Sequence, residues 1–284
     1  MQKDIDIITS FVLLGVLSGY TSDAFTNLRL NCTAGSTVGA NSFDDDSWDS
    51  ASELCHSFIG SSIGGMFGLL GATISAYYGI LMKLHGKFYP ARPVGILIGM
   101  AGYCLIFCFK STGASWNSCH YYDGAKDSLD SKYNITSELY DKQSDLIDNT
   151  FGAQCDGFYI SSIILGIDSS LPILGIYLLF TFQKKGLWLN FCLFTTLVAA
   201  ANSQINNGLK TTSCYIYDHP PPKESPYTYD EARVQCSTYT SAYNAGVAGS
   251  CLSGISVLIC IYDIISKIDH DTFLIRFRRC CMFG

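Results

Sequence analysis

Long apolar runs alternate with polar stretches along the whole chain. Six of these runs approach the ~20 mostly apolar residues that a helix needs to cross a hydrocarbon core of about 30 Å. They are residues 6–25, 56–82, 93–110, 157–182, 187–205 and 240–266, and none holds an interior Lys or Arg. The pattern predicts an all-α membrane protein with six transmembrane helices. The connections between the runs are unequal. Residues 83–92 and 183–186 are short and basic, carrying Lys83, Lys87 and Arg92, then Lys184 and Lys185; the other three connections are long, acidic and rich in Ser, Asn and Asp.

Charge sets the orientation. The short-connection side, with both termini, holds ten Lys and Arg against five Asp and Glu, and the long-connection side holds eight against eighteen. Basic residues near span ends are retained in the cytoplasm, so the termini are expected inside and the long loops outside. Two glycosylation sequons, at Asn31 and Asn134, fall in those outer loops. Ser22-Asp23-Ala24 resembles a signal-peptide cleavage site, but one Lys against two Asp precedes the first apolar run, which is therefore expected to remain a span. With 15% charged residues, 48% hydrophobic residues and a net charge of −6, neither a disordered acidic chain nor a nucleic-acid binder fits.

Of the 13 cysteines, six lie in the outer loops, two per loop. An oxidising lumen favours disulfides, and this layout favours Cys32–Cys55, Cys119–Cys155 and Cys214–Cys236, with pairing between loops as the alternative. The copies share more than cysteines. Cys55-His-Ser-Phe58 and Cys155-Asp-Gly-Phe158 are both followed by Ser-Ser-Ile, at 61–63 and 161–163, while Ser18-Gly19-Tyr20 echoes Ala101-Gly102-Tyr103. The expected organisation is three tandem hairpins. The first is 1–86, with its loop at about 26–50; the second is 87–185, with its loop at about 111–156. The third is 186–268, with its loop at about 206–236, and a cytoplasmic tail follows at 269–284. Capping boxes at Ser50–Glu53 and Thr228–Glu231 predict that the second and sixth helices begin outside the membrane. Residues 137–148 are expected to form a short outer helix, and Pro220, Pro221 and Pro222 an extended segment.

Membrane helices associate where small residues let backbones approach. Gly60, Gly64 and Gly68 form such a stripe, as do Ser162, Gly166 and Ser170; Ala242, Gly246, Ser250 and Gly254 form another, and Gly15/Gly19 and Gly95/Gly99 add pairs. These serve packing within one chain, contact between copies, or both. One ionisable residue lies deep in a span: Asp168, beside Ser169, Ser170 and Pro172. Intramembrane carboxyls often mark ion or proton paths, and the alternative is a hydrogen-bonded carboxyl beside a proline kink. Asn202, Ser203, Gln204 and Asn244 are candidates either for lining a polar path or for bonds within and between helices.

Gly60-Ser-Ser62-Ile-Gly64 matches a serine-nucleophile pattern in letters only, since that motif requires a strand-turn-helix setting and no span holds an interior His. No catalytic residue, metal site, cofactor or nucleic-acid partner is expected. Cys280 and Cys281 follow a basic juxtamembrane patch and are candidates for S-acylation. Short inner loops with cystine-braced outer loops are similar in form to tetraspan organisers such as tetraspanins and claudins. The similarity is one of form: no Cys-Cys-Gly triplet lies in an outer loop, and the single Gly-Leu-Trp, 186–188, is on the inner side. The expected function is a structural or organising membrane glycoprotein of the plasma membrane or another secretory-pathway membrane. It would associate with lipid and with further copies of itself, and would favour curved membrane. A channel or transporter using Asp168 is the alternative, and a cell-surface adhesion or receptor protein the second.

Overall fold

The structure is a computed structural model, and it describes residues 2–37, 45–132, 138–182, 184–219 and 229–266. Apart from the connection at 86–90 and residues 219 and 266 it is helical: α1 (Gln2–Thr37), α2 (Asp45–His85), α3 (Ala91–Lys132), α4 (Glu138–Ile147), a π-helical turn (Asp148–Gly152), α5 (Ala153–Phe182), α6 (Lys184–Asp218) and α7 (Tyr229–Ile265). Because α4, the π turn and α5 run on without a break, they form a single rod. Among the described residues, five helices are long and apolar enough to cross a membrane: Cys55–His85, Ala91–Ser131, Glu138–Phe182, Lys185–Asp218 and Glu231–Ile265. The first expected span, 6–25, lies in α1, which is not one of the five.

Much of what the sequence suggested as outer loop is helix. α1 continues to Thr37, α3 to Lys132 and α6 to Asp218, and α2 already begins at Asp45, ahead of the capping box at Ser50. At 1.5 Å per residue the 42-residue α3 is roughly 60 Å long, about twice a hydrocarbon core. The short outer helix expected at 137–148 is α4. Pro220, Pro221 and Pro222 and the tail with Cys280 and Cys281 lie outside the described residues, as does Asn134.

The long helices pack side by side in chain order, each chiefly against its sequence neighbours: α1 on α2, α2 on α3, α3 on α5, α5 on α6 and α6 on α7. α1 and α7 do not pack on each other among the described residues, so the row is open at both ends. α2 stops at Gly86, whose φ of +67° permits the left-handed cap and whose N–H bonds the Met82 carbonyl at 2.9 Å. Pro90 and Pro93 then flank the start of α3, where a missing N–H costs nothing.

Glycine decides the α2–α3 contact. A Cβ on Gly102 would overlap the Gly68 backbone, one on Gly95 would lie 2.7 Å from the Gly71 carbonyl oxygen, and one on Gly64 2.7 Å from Leu105 Cβ. Gly60 meets the Phe109 ring and Gly99 meets Leu13. The α5–α6 contact repeats the device, with Gly157 against the Gln204 carbonyl and Gly208, and Gly175 against Asn190, whose Nδ2 donates to the Leu171 carbonyl at 2.8 Å. Gly246 of α7 seats on Ser203 of α6, and Gly166 faces Cys108 at an ordinary contact of 3.7 Å. A Cβ on Gly15, Gly19 or Gly254 would meet nothing within 4 Å. At these three of the glycines expected to pack, the chain itself leaves room for a side chain.

The buried faces of α2 and α5 share a register. Ser57, Ser61, Gly65, Gly68, Gly71, Ala72 and Ser75 are buried, and so are the residues 100 positions later: Gly157, Ser161, Leu165, Asp168, Leu171, Pro172 and Gly175. The Cys-x-x-Phe and Ser-Ser-Ile matches are thus the visible part of a longer correspondence in which each helix packs on the one after it.

Candidate functional site

Three disulfides join the helices in pairs at one end of the row: Cys32–Cys55 ties α1 to α2, Cys119–Cys155 ties α3 to α5, and Cys214–Cys236 ties α6 to α7. Their Cα separations of 5.3, 4.8 and 4.7 Å are ordinary for cystine. The remaining neighbours, α2/α3 and α5/α6, are joined by short connections at the opposite end. Each adjacent pair is therefore fastened covalently at one end or the other. Asn31 lies within α1, one residue before the first cystine.

Polar contacts add to these ties near both ends of the apolar stretches. Lys110 of α3 pairs with Asp23 of α1 and stands 5.6 Å over the Tyr20 ring. Lys210 of α6 stands 4.9 Å over Tyr243 of α7, and at the other end Lys185 of α6 pairs with Asp263 of α7 at 2.7 Å. From Arg92 to Lys110 α3 advances about 27 Å, close to the hydrocarbon thickness.

Beyond the apolar stretch of the second hairpin lies a polar cluster. Asp148 accepts from Tyr122 Oη at 2.9 Å and pairs with Lys126 at 2.8 Å, while Lys126 also donates to Ser144 at 2.7 Å. Asp145 accepts from Tyr215 Oη of α6 at 2.9 Å, and the Thr212 hydroxyl donates to the Thr150 carbonyl at 3.0 Å. The cluster thus locks α3, the π turn and α6 together outside the apolar layer. Partial burial alone would raise the Asp148 pKa, but the hydrogen bonds from Lys126 and Tyr122 outweigh it and hold the carboxyl below the usual carboxylate range.

A group whose folded pKa is depressed contributes stability above its unfolded value, near 3.9, and loses that contribution as pH falls through the folded value. The hydrogen-exchange protection of residues 144–152, taken relative to the intrinsic rate at each pH, is expected to hold at pH 5 and to fall below about pH 4. Lys126→Gln should weaken that acid response.

Asp168 is fully buried between α5 and α3. The Cys104 thiol donates to its Oδ2 at 3.1 Å, whereas Oδ1 has no partner, and none of the ion pairs among the described residues includes it. Ser161, two turns away on the same face, is also fully buried with no partner for its hydroxyl. Ser169 and Ser170 bond back to carbonyls of their own helix, as does Ser203. Asn202 serves Asn206, and Asn244 is exposed. Asn202, Ser203, Gln204 and Asn244 therefore do not converge with Asp168 on one locus.

The sequence reading had no partner for Asp168. A thiol can fill that role, but a lone Cys within a span carries no signal that it does. Gly71, Gly102, Gly157, Gly186 and Gly208 lie outside the glycines expected to pack, yet a Cβ on any of them would stand 2.7 Å or less from a neighbouring backbone. The Ala101-Gly102-Tyr103 echo of Ser18-Gly19-Tyr20 is the one sequence signal at Gly102. Compared with known proteins, the chain matches no family model, no curated protein and no solved structure.

Proposed function

We propose that the protein is a structural membrane glycoprotein whose copies associate laterally into an ordered assembly that favours curved membrane. The observation that carries this reading is the open row: helices fastened alternately by inner connections and outer cystines, with apolar faces left uncovered and helices prolonged on the cystine side. The row crosses the bilayer six times. Support for α1 as the sixth span comes from Ile8, Phe11, Val12 and Val16, which are exposed at helical spacing away from α2, as lipid-facing residues would be. The cystine end faces the lumen or cell exterior, and both termini and the inner connections face the cytoplasm, in keeping with the charge balance and with oxidising chemistry.

Mass is unevenly divided across that layer. The inner end holds the short Gly86–Pro90 connection, whereas the outer end carries roughly 20 residues of α3, all of α4 and the outer turns of α1, α6 and α7. Glycans at Asn31 and Asn134 would add to it. Wedges of this kind side by side relieve crowding when the outer face is convex. Purified protein reconstituted into vesicles at rising protein density is expected to form repeating rows and to draw out tubules visible by cryo-EM. Dispersed monomers in spherical vesicles would overturn the reading.

One observation favours a second reading, conduction at Asp168: its Oδ1 is buried without a partner. Proton and cation flux measured in liposomes with wild type and Asp168→Asn separates the two. The scaffold reading expects no flux from either protein. Flux that the substitution abolishes would establish conduction.

A further inference from the structure

The ends of the row carry unused copies of the junction that builds its middle. α1 and α3 correspond at an offset of 83, as the Ser18-Gly19-Tyr20 and Ala101-Gly102-Tyr103 match requires. Ser10, Leu17 and Thr21 are buried in α1, and their counterparts Pro93, Met100 and Cys104 are buried in α3. These faces meet equivalent partners, since Thr21 lies against α2 at Gly65 and Cys104 against α5 at Asp168. The rest of α3 behaves differently. Gly95, Gly99, Gly102 and Ile106 receive α2, whereas their α1 counterparts Val12, Val16 and Gly19 are exposed; the fourth, Asp23, is exposed too but pairs with Lys110 of α3.

The other end mirrors this vacancy. Aligning Cys236 with Cys55 sets α7 against α2 at an offset of 181, and the contacts agree. Gly65 of α2 receives the preceding helix at Thr21, and Gly246 of α7 receives the preceding helix at Ser203. The α2 face that docks on α3 includes Gly60, Gly64 and Gly71. Its α7 counterparts Ser241, Ala245 and Leu252 are exposed, and Gly249, the counterpart of Gly68, is half-buried. A face that elsewhere docks on the next helix thus stands free at one end, and the face that elsewhere receives it stands free at the other.

We infer that α7 of one copy docks on α1 of the next, in the register that α2 uses on α3, so that the row continues from molecule to molecule. The contact is head-to-tail, and repetition gives a ring if the rotation closes and a filament if it does not. Transferring the internal register places Gly249 opposite Gly19 of the neighbour, and Leu252 opposite Val16. The inference rests on the self-association proposed above and names its surface.

The test uses full-length protein in native-like membranes, in a Cys251→Ser background because Cys251 is itself exposed. Val16→Cys and Leu252→Cys are made in differently tagged chains. On oxidation, a mixture of the two should give a cross-linked dimer bearing both tags, neither alone should give a dimer, and a chain carrying both substitutions should give a ladder. Gly19→Leu, which meets nothing within 4 Å in its own chain, should release monomers with all three cystines intact. Dimers from either single variant, or assemblies that persist without the mixed cross-link or despite Gly19→Leu, would overturn this contact and leave the scaffold reading standing. A wild-type protein that is monomeric by native electrophoresis would overturn both.

Discussion

Gly102→Leu should cost the protein its fold, while Gly19→Leu, at the corresponding place in α1, should leave the isolated chain unchanged. At Gly102 the obstacle to a side chain is the Gly68 backbone, so no rotamer change clears it and α2 and α3 must separate along their length. Overpacking a core costs about 1–3 kcal/mol when neighbours can yield. Here the yielding part is a whole helix, which puts the loss at about 3 kcal/mol or more. In detergent the thermal midpoint is expected to fall by roughly 10 °C, or folded protein to be lost altogether. Gly102→Ala should fall between wild type and Gly102→Leu. Equal midpoints for Gly102→Leu and Gly19→Leu would show that the α2–α3 contact is not held by backbone proximity.

The second large effect concerns the cystine end. Replacing Cys119 and Cys155 by Ala opens a closure that spans 36 positions, for which the chain-entropy model gives roughly 4 kcal/mol. The loss is expected to be smaller than that, because the helices stay confined by the bilayer and the unlinked state remains compact. It should also be local. With the bond absent, α4 and the π turn are held to α3 and α6 by the Lys126–Asp148 cluster, its contacts to Thr212 and Tyr215, the Tyr140–Asp130 hydrogen bond and the Tyr121–Phe151 ring contact. Trypsin added from outside should then cut at Lys126 and Lys142 at least tenfold faster, while the apolar stretches of α2 and α3 remain protected. Unchanged cleavage would mean that these non-covalent contacts suffice without the disulfide.

Much of this architecture is legible in the residues, and the reasons differ by feature. Apolar runs report solvent directly, so those at 56–82, 93–110, 157–182, 187–205 and 240–266 all fall within long helices. The two-per-loop layout of cysteines points to the pairs that bond, because the helices flanking a loop bring its two ends together. The outer prolongations of α1, α3 and α6 are illegible for the same reason that the spans are clear. Residues 111–132 are polar, contain Gly113 and Gly124 and show no sustained apolar stripe, yet they are helical through continuity with a membrane helix and through the contacts of Lys126 and Tyr122. The order of helices in the row was equally hidden. Glycine stripes tell that backbones approach, but Gly68 pairing with Gly102 and Gly19 pairing with nothing look alike in a list of residues. Only the packing of the helices separates them. The Cys104–Asp168 bond needed the α3–α5 pairing to be known first.

Whether the row crosses the membrane five times or six turns on α1, and side-specific labelling of intact cells settles it most directly. Epitopes placed at the N-terminus, in the Gly86–Pro90 connection and after Asp127 should behave in two groups. The last should be stained from outside, while the first two should be reached only after permeabilisation, with Cys32–Cys55 formed in the same molecules. An N-terminus stained in intact cells, on the same side as Asp127, would contradict six crossings and remove α1 from the membrane-spanning row.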